Sequence, residues 1–197
     1  MSERSASPVS IVAAFVGTLA LGLALMMWLL DGSRGALAPA AIGGPFQLVD
    51  QDGGAVTADK LQGKPTLLFF GYTHCPDICP TTLFEVSEVL RALGKDADRV
   101  NAYFVSVDPE RDTPAIVKDY LSSFDPHLKG LTGDPDAVAK ALSAYRVYAK
   151  KVPAKDGDYT MDHSAMVYLM DRNGYFVAPF KLDRKPEDAA ADLKRYI

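Results

Sequence analysis

Residues Thr66 to Tyr72 (TLLFFGY) form a continuous apolar run of strand length, which ends directly against Thr73-His74-Cys75-Pro76-Asp77-Ile78-Cys79-Pro80. A run with no polar alternation fits a strand buried on both faces, and such a strand needs layers packed above and below it. Its end must also deliver Cys75 and Cys79, the chain's 2 cysteines. Leu83, Val86, Val89, Leu90 and Leu93 then recur at helical spacing, and Gly94 follows. A proline inside a helix loses a backbone bond and clashes one turn back, so Pro76 and Pro80 cannot share one helix. The sequence therefore predicts a tight loop over 75–79 and a helix whose first position is Pro80. Both sulfurs then lie near the positive end of a helix dipole, which favours thiolates and lowers their pKa.

The remaining segments say what surrounds that strand. Phe46 to Val49 and Ala55 to Thr57 flank Asp52-Gly53-Gly54, a hairpin pattern. Val100 to Val107 reads as the next strand. Thr113-Pro114 and Asp134-Pro135 each place a capping side chain before a proline, opening helices to about Phe124 and over Ala137 to Tyr145. Ala165 to Met170 and Tyr175 to Val177 are strands joined at Asp171-Arg172-Asn173-Gly174, and Pro186 to Tyr196 is a last helix. Strands alternating with helices imply an α/β sheet with helices on its faces. A strand, a cysteine loop and a helix, followed later by a hairpin and a helix, suit a thioredoxin-like fold over 45–197.

Ile11 to Leu30 contains no charged residue and is long enough as a helix to cross a bilayer core of about 30 Å. Arg4 and the terminal amine precede it; Asp31 and Arg34 follow. That bias predicts a cytoplasmic tail over 1–10, a transmembrane anchor over 11–30, a linker over 31–44 and an exported domain. The run exceeds the roughly 7–15 residues of a signal-peptide core, which favours an anchor over a cleaved signal. With a net charge of −4 and no dense Lys/Arg cluster, the chain offers no nucleic-acid surface. Lys150-Lys151, beside Pro153, Lys155 and Gly157, reads as a solvated loop.

Two cysteines are too few for a disulfide framework or a Cys-only zinc site. Three residues separate Cys75 from Cys79, one more than in the usual redox pair. That loop leaves room for a metal between the sulfurs and still permits a disulfide, so spacing alone admits both chemistries. A merely structural disulfide gains little from closing so short a loop. His163, in Met161-Asp162-His163-Ser164, precedes the strand whose entry packs beside the active-site loop in a thioredoxin-like core. Proteins of that fold commonly carry a cis-proline there, and no proline lies between Lys155 and Val177. Two thiolates and an imidazole make a soft donor set suited to copper. His74 reads as tuning the cysteine beside it, His127 as a surface residue, Met161 as packing, and Asp77 as a loop residue bonded to backbone donors or facing a partner. Asp108-Pro109-Glu110-Arg111-Asp112-Thr113 reads as turn and capping chemistry. A peroxidase would need an activating Thr and Arg, and only Arg111 could approach.

Together, Gly71-Tyr72-Thr73-His74-Cys75-Pro76-Asp77-Ile78-Cys79-Pro80, Val105-Ser106-Val107-Asp108-Pro109-Glu110-Arg111-Asp112-Thr113-Pro114 and Asp162-His163-Ser164 resemble the Sco/SenC family of copper proteins. The resemblance implies copper, as Cu(I) or Cu(II), on Cys75, Cys79 and His163 of a membrane-anchored, thioredoxin-like domain. It implies copper delivery to the binuclear copper site of cytochrome c oxidase subunit II, or thiol reduction there, with other copper chaperones or thiol reductants as further partners. Some members of the family act in redox homeostasis. An inner membrane with the domain facing the periplasm follows more readily from the short N-terminus than a mitochondrial one.

Overall fold

The computed structural model describes residues 17–27, 42–154 and 157–197. The chain divides into two units, Met1–Ala40 and Ala41–Ile197. In the first unit, residues 17–27 are helical (α1), and Leu19, Leu21, Leu23, Leu25, Met26 and Met27 are exposed on it. The predicted tail over 1–10, the ends of the apolar run and most of the linker lie outside the described residues. Among the described residues, no helix is long and apolar enough to cross a membrane.

The second unit is a mixed α/β domain. Its elements are β1 (Gln47–Asp50), β2 (Ala55–Thr57), β3 (Thr66–Gly71), α2 (Ile78–Leu93), β4 (Asn101–Ser106), α3 (Pro114–Leu121), β5 (Leu128–Thr132) and α4 (Pro135–Ala144). They continue with β6 (Ala149–Pro153), β7 (Tyr159–His163), β8 (Val167–Met170), β9 (Phe176–Pro179) and α5 (Pro186–Lys194). One sheet runs β2-β1-β5-β4-β3-β8-β9; β6 and β7 form a separate hairpin. β3 is parallel to β4 and antiparallel to β8, and every residue of β3 is buried, as its apolar run requires. The order β4-β3-β8-β9, with α2 after β3 and α5 after β9, is the thioredoxin-like core.

Local chemistry sets the helix starts. Thr113 and Asp134 cap α3 and α4 by accepting from Ile116 N and Ala137 N, with proline next in each case. α3 stops at Leu121 rather than Phe124, where the Ser122 hydroxyl turns back to the Asp119 carbonyl. Three strands depart from the sequence reading. β5 (LKGLT) escapes a pattern search because Lys129 and Gly130 interrupt it, yet it sits inside the sheet between β1 and β4. β6 occupies the polar stretch read as loop, and β7 a segment to which the sequence reading assigns no element. Lys150 and Lys151 are solvated as expected, but on a strand.

Gly130 lets α3 lie close on β5. A Cβ there would stand 2.1 Å from Val117 Cγ1 and 2.9 Å from Leu121 Cδ1. A second constraint ties the loops at the end of the sheet. Asp112, 0% exposed, accepts from Thr73 N at 3.1 Å, Thr73 Oγ1 at 2.7 Å and Ser106 Oγ at 2.6 Å. Its own carbonyl accepts from Thr132 Oγ1 at 2.7 Å. Burial pushes its carboxyl pKa up, against the pull of those hydrogen bonds. The loops after β3, β4 and β5 are thus fastened to one residue.

Gly130→Ala should lower stability by about 1–3 kcal/mol, the cost of overpacking, seen as a lower urea midpoint with an unchanged slope. Asp112→Ala strands three donors, at about 1–3 kcal/mol for each one left buried and unpaired. A measured loss under about 1 kcal/mol would show that the carboxylate does not hold these loops.

Candidate metal centre

The loop after β3 is short and closed on itself, with Cys75 N donating to the Tyr72 carbonyl at 3.3 Å. α2 begins at Ile78, not at Pro80; Asp77 is its N-cap. Pro80 is accommodated at the third helical position because the first N–H groups of a helix have no intrahelical partner. Its clash would fall on Pro76, which lies outside the helix. The first backbone bond that could form, Thr81 N to the Asp77 carbonyl, is present at 3.3 Å, and the Thr81 hydroxyl joins it at 2.9 Å. Cys79 is therefore the second residue of the helix. Its free N–H donates to Cys75 Sγ at 3.4 Å, so the loop seats one sulfur over the helix N-terminus.

Both cysteines are free thiols. Cys79 is 0% exposed and Cys75 9%. The Cys79 sulfur occupies space left by Gly71: a Cβ on that glycine would stand 2.9 Å from Sγ and 2.9 Å from Phe104 Cε2. Such burial overturns one expectation. The Cys79 pKa is raised, not lowered, chiefly because burial disfavours the charged form. The Cys75 sulfur and the Asp112 carboxylate add to the rise, against a hydrogen bond from the Tyr72 backbone. The helix dipole does not overcome desolvation at that position.

His163 is the last residue of β7, paired with Ala149. Its Nε2 lies 3.5 Å from Cys79 Sγ and its Nδ1 lies 3.0 Å from the Ser164 carbonyl. A carbonyl only accepts, so the proton belongs on Nδ1 and the Nε2 lone pair faces the sulfur. Tyr72 meets the imidazole edge-on, with centroids 5.7 Å apart, and Phe69 does so at 6.5 Å. The donor atoms of Cys75, Cys79 and His163 all lie within 4.8 Å of one another, the one such cluster of three or more His, Cys, Asp or Glu among the described residues.

The other candidates lie apart from this cluster. His74 is exposed and its Nδ1 contacts Thr73 Oγ1 at 3.1 Å. His127 sits between Asp125 at 2.7 Å and Asp98 at 3.3 Å. Met161 packs against the core from the middle of β7. Asp77 serves through its backbone carbonyl, and its side chain makes no cap bond. The segment Asp108 to Thr113 does more than turn and cap. Asp112 fixes Thr73, two residues before Cys75, while Arg111 is engaged with Asp108, Asp158 and Tyr159. Tyr72 was also missed, although its place at the end of the buried run puts it beside the site. The alternation of half-buried Tyr159, Met161 and His163 with exposed Thr160 and Asp162 was a signal that β7 lays one face on the domain.

Known proteins share this sequence pattern and fold. The SCO1/SenC family profile matches residues 34–197. A SCO2-like protein of Rickettsia felis is 39% identical over 155 residues, 78% of this chain and 76% of that one. The structure of Bradyrhizobium japonicum ScoI with copper bound is 75% identical and superposes with a TM-score of 0.79, covering 80% of this chain and 100% of that one. Yeast Sco1 with copper bound is 37% identical with a TM-score of 0.72, covering 79% and 88%. With a family profile spanning the whole thioredoxin-like domain and relatives this similar, the chain belongs to the SCO1/SenC family.

Proposed function

We propose that Cys75, Cys79 and His163 bind copper as a cargo to be handed to another protein. The convergence of two thiols and an imidazole within 4.8 Å carries this reading. The set is soft, three donors leave a position open for an incoming ligand, and the imidazole tautomer is already fixed for coordination. Thiols must lose their protons to bind a metal, so uptake releases protons. Similarity to relatives solved with copper bound supports the same assignment. The Sco family is one of cytochrome c oxidase assembly proteins, so we assign the acceptor as the binuclear copper site of subunit II. Other copper chaperones or thiol reductants would act upstream.

The same thiols favour a second reading, because the sulfurs of Cys75 and Cys79 lie within 4.8 Å of each other. Cys75, the more accessible sulfur, would attack a disulfide on the partner and form a mixed disulfide. Cys79 would then displace the partner's sulfur. The pair is oxidised to a disulfide, the partner's disulfide is reduced to two thiols, and two protons pass with the electrons.

We assign the apolar run Ile11 to Leu30 as a single membrane anchor. It would place residues 45–197 on the periplasmic side of the inner membrane, with residues 31–44 as the linker.

Three measurements test these assignments. Reduced protein should take up one copper per chain, and with Cu(II) it should show strong thiolate-to-copper absorption that Cys75→Ser abolishes. His163→Ala should weaken copper binding by at least tenfold; wild-type affinity in that variant would remove His163 from the site. The full chain should stay with membranes in alkaline carbonate, and a chain lacking residues 1–40 should be released.

A further inference from the structure

The β6–β7 hairpin supplies His163, yet among the described residues its strands pair only with each other. Sheet hydrogen bonds therefore cannot set where the imidazole stands relative to Cys79. The side chains that tie the hairpin down converge on Arg111. Its Nε donates to Asp108 Oδ2 at 2.5 Å, and its Nη1 donates to the Tyr159 carbonyl at 3.0 Å and Asp158 Oδ1 at 3.2 Å. The Tyr159 hydroxyl completes the circuit by donating to Asp108 Oδ1 at 2.9 Å. The guanidinium carbon lies 3.7 Å from the Tyr159 ring centroid and 5.7 Å from that of Tyr72. Tyr72 in turn meets His163 edge-on.

Burial distinguishes this cluster from ordinary surface pairs. The Asp108 side chain is 2% exposed and that of Arg111 17%. Lys151 reaches Glu110 at 2.7 Å from the same hairpin, but both of those side chains are well exposed, and such pairs contribute little. The remaining Arg111 nitrogen, Nη2, is buried without a hydrogen-bond partner. The side chain is thus held by the fork to Asp108 and the hairpin backbone, and by the two rings. A planar guanidinium can do all of this at once; an ammonium cannot.

We propose that Arg111 is a positioning residue for the third donor. With Asp108 it clamps the β6–β7 hairpin to the loop that Asp112 ties to Thr73, and so holds His163 opposite Cys79. One short segment then sets both halves of the centre: Asp112 the cysteine loop, Arg111 the histidine hairpin. The consequence for copper rests on the copper reading above; the clamp itself does not.

Hydrogen exchange on the metal-free chain tests the clamp directly. In Arg111→Met, which keeps the aliphatic stem, amides of residues 159–163 should exchange at least tenfold faster, with β3 and β4 little changed. Unchanged hairpin amides overturn the proposal. Equal acceleration throughout the domain does so too, because it marks general destabilisation. Arg111→Lys should restore little of the protection; full restoration means that charge alone suffices and overturns the fork. The second arm is Cu(I) affinity by chelator competition. Arg111→Met should weaken binding about 10–100-fold in the unaltered background, the usual size for a residue supporting a ligand, and not at all in His163→Ala. Equal loss in both backgrounds shows that Arg111 does not act through His163. If His163→Ala itself binds copper normally, the copper reading fails, and the exchange data alone decide the clamp.

Discussion

The interaction on which the rest of this end of the molecule depends is the buried carboxylate of Asp112. Ionised carboxylates are rarely placed out of reach of water without compensation. Here the compensation comes from the loop after β3 and the end of β4, as Thr73 supplies two donors and Ser106 a third, while Thr132 bonds the same residue's backbone. The parallel strands β3, β4 and β5 all end toward these groups. The ends of parallel strands are where backbone leaves the sheet ladder and needs new partners. One side chain meets that need, and the cysteine loop inherits its geometry from the result.

Much of this could be read from residues alone, for identifiable reasons. β3 was visible because burial on both faces demands an unbroken apolar run. The starts of α3 and α4 were visible because Thr-Pro and Asp-Pro combine a capping oxygen with a preset φ. β5 was not, since only Leu128 and Leu131 are apolar and the intervening glycine serves a contact with α3 that is remote in sequence. The hairpin was not, because β6 is a largely exposed, lysine-bearing strand beside prolines and glycine, and the alternation along β7 spans only five residues. The helix start slipped by two residues because the rule against internal prolines is suspended in the first turn.

At the centre itself, the association of Cys75, Cys79 and His163 was legible from the motif and from the missing proline before β8. The electrostatics were not. A helix N-terminus argues for thiolates on the basis of local sequence, whereas the burial that raises Cys79 comes from packing between the end of β3 at Gly71 and the neighbouring strand β4, where Phe104 lies. Reading a dipole takes a few neighbouring residues. Reading desolvation takes the whole packing arrangement, and at Cys79 the packing wins.

That packing also gives the centre a front and a back. Cys79 is sealed behind the strand end, while Cys75 and His163 lie nearer the solvent. On the copper reading, a partner docking on this face would meet the outer sulfur and the imidazole before the sealed one, so the three donors are unequal in reach although they are close in space.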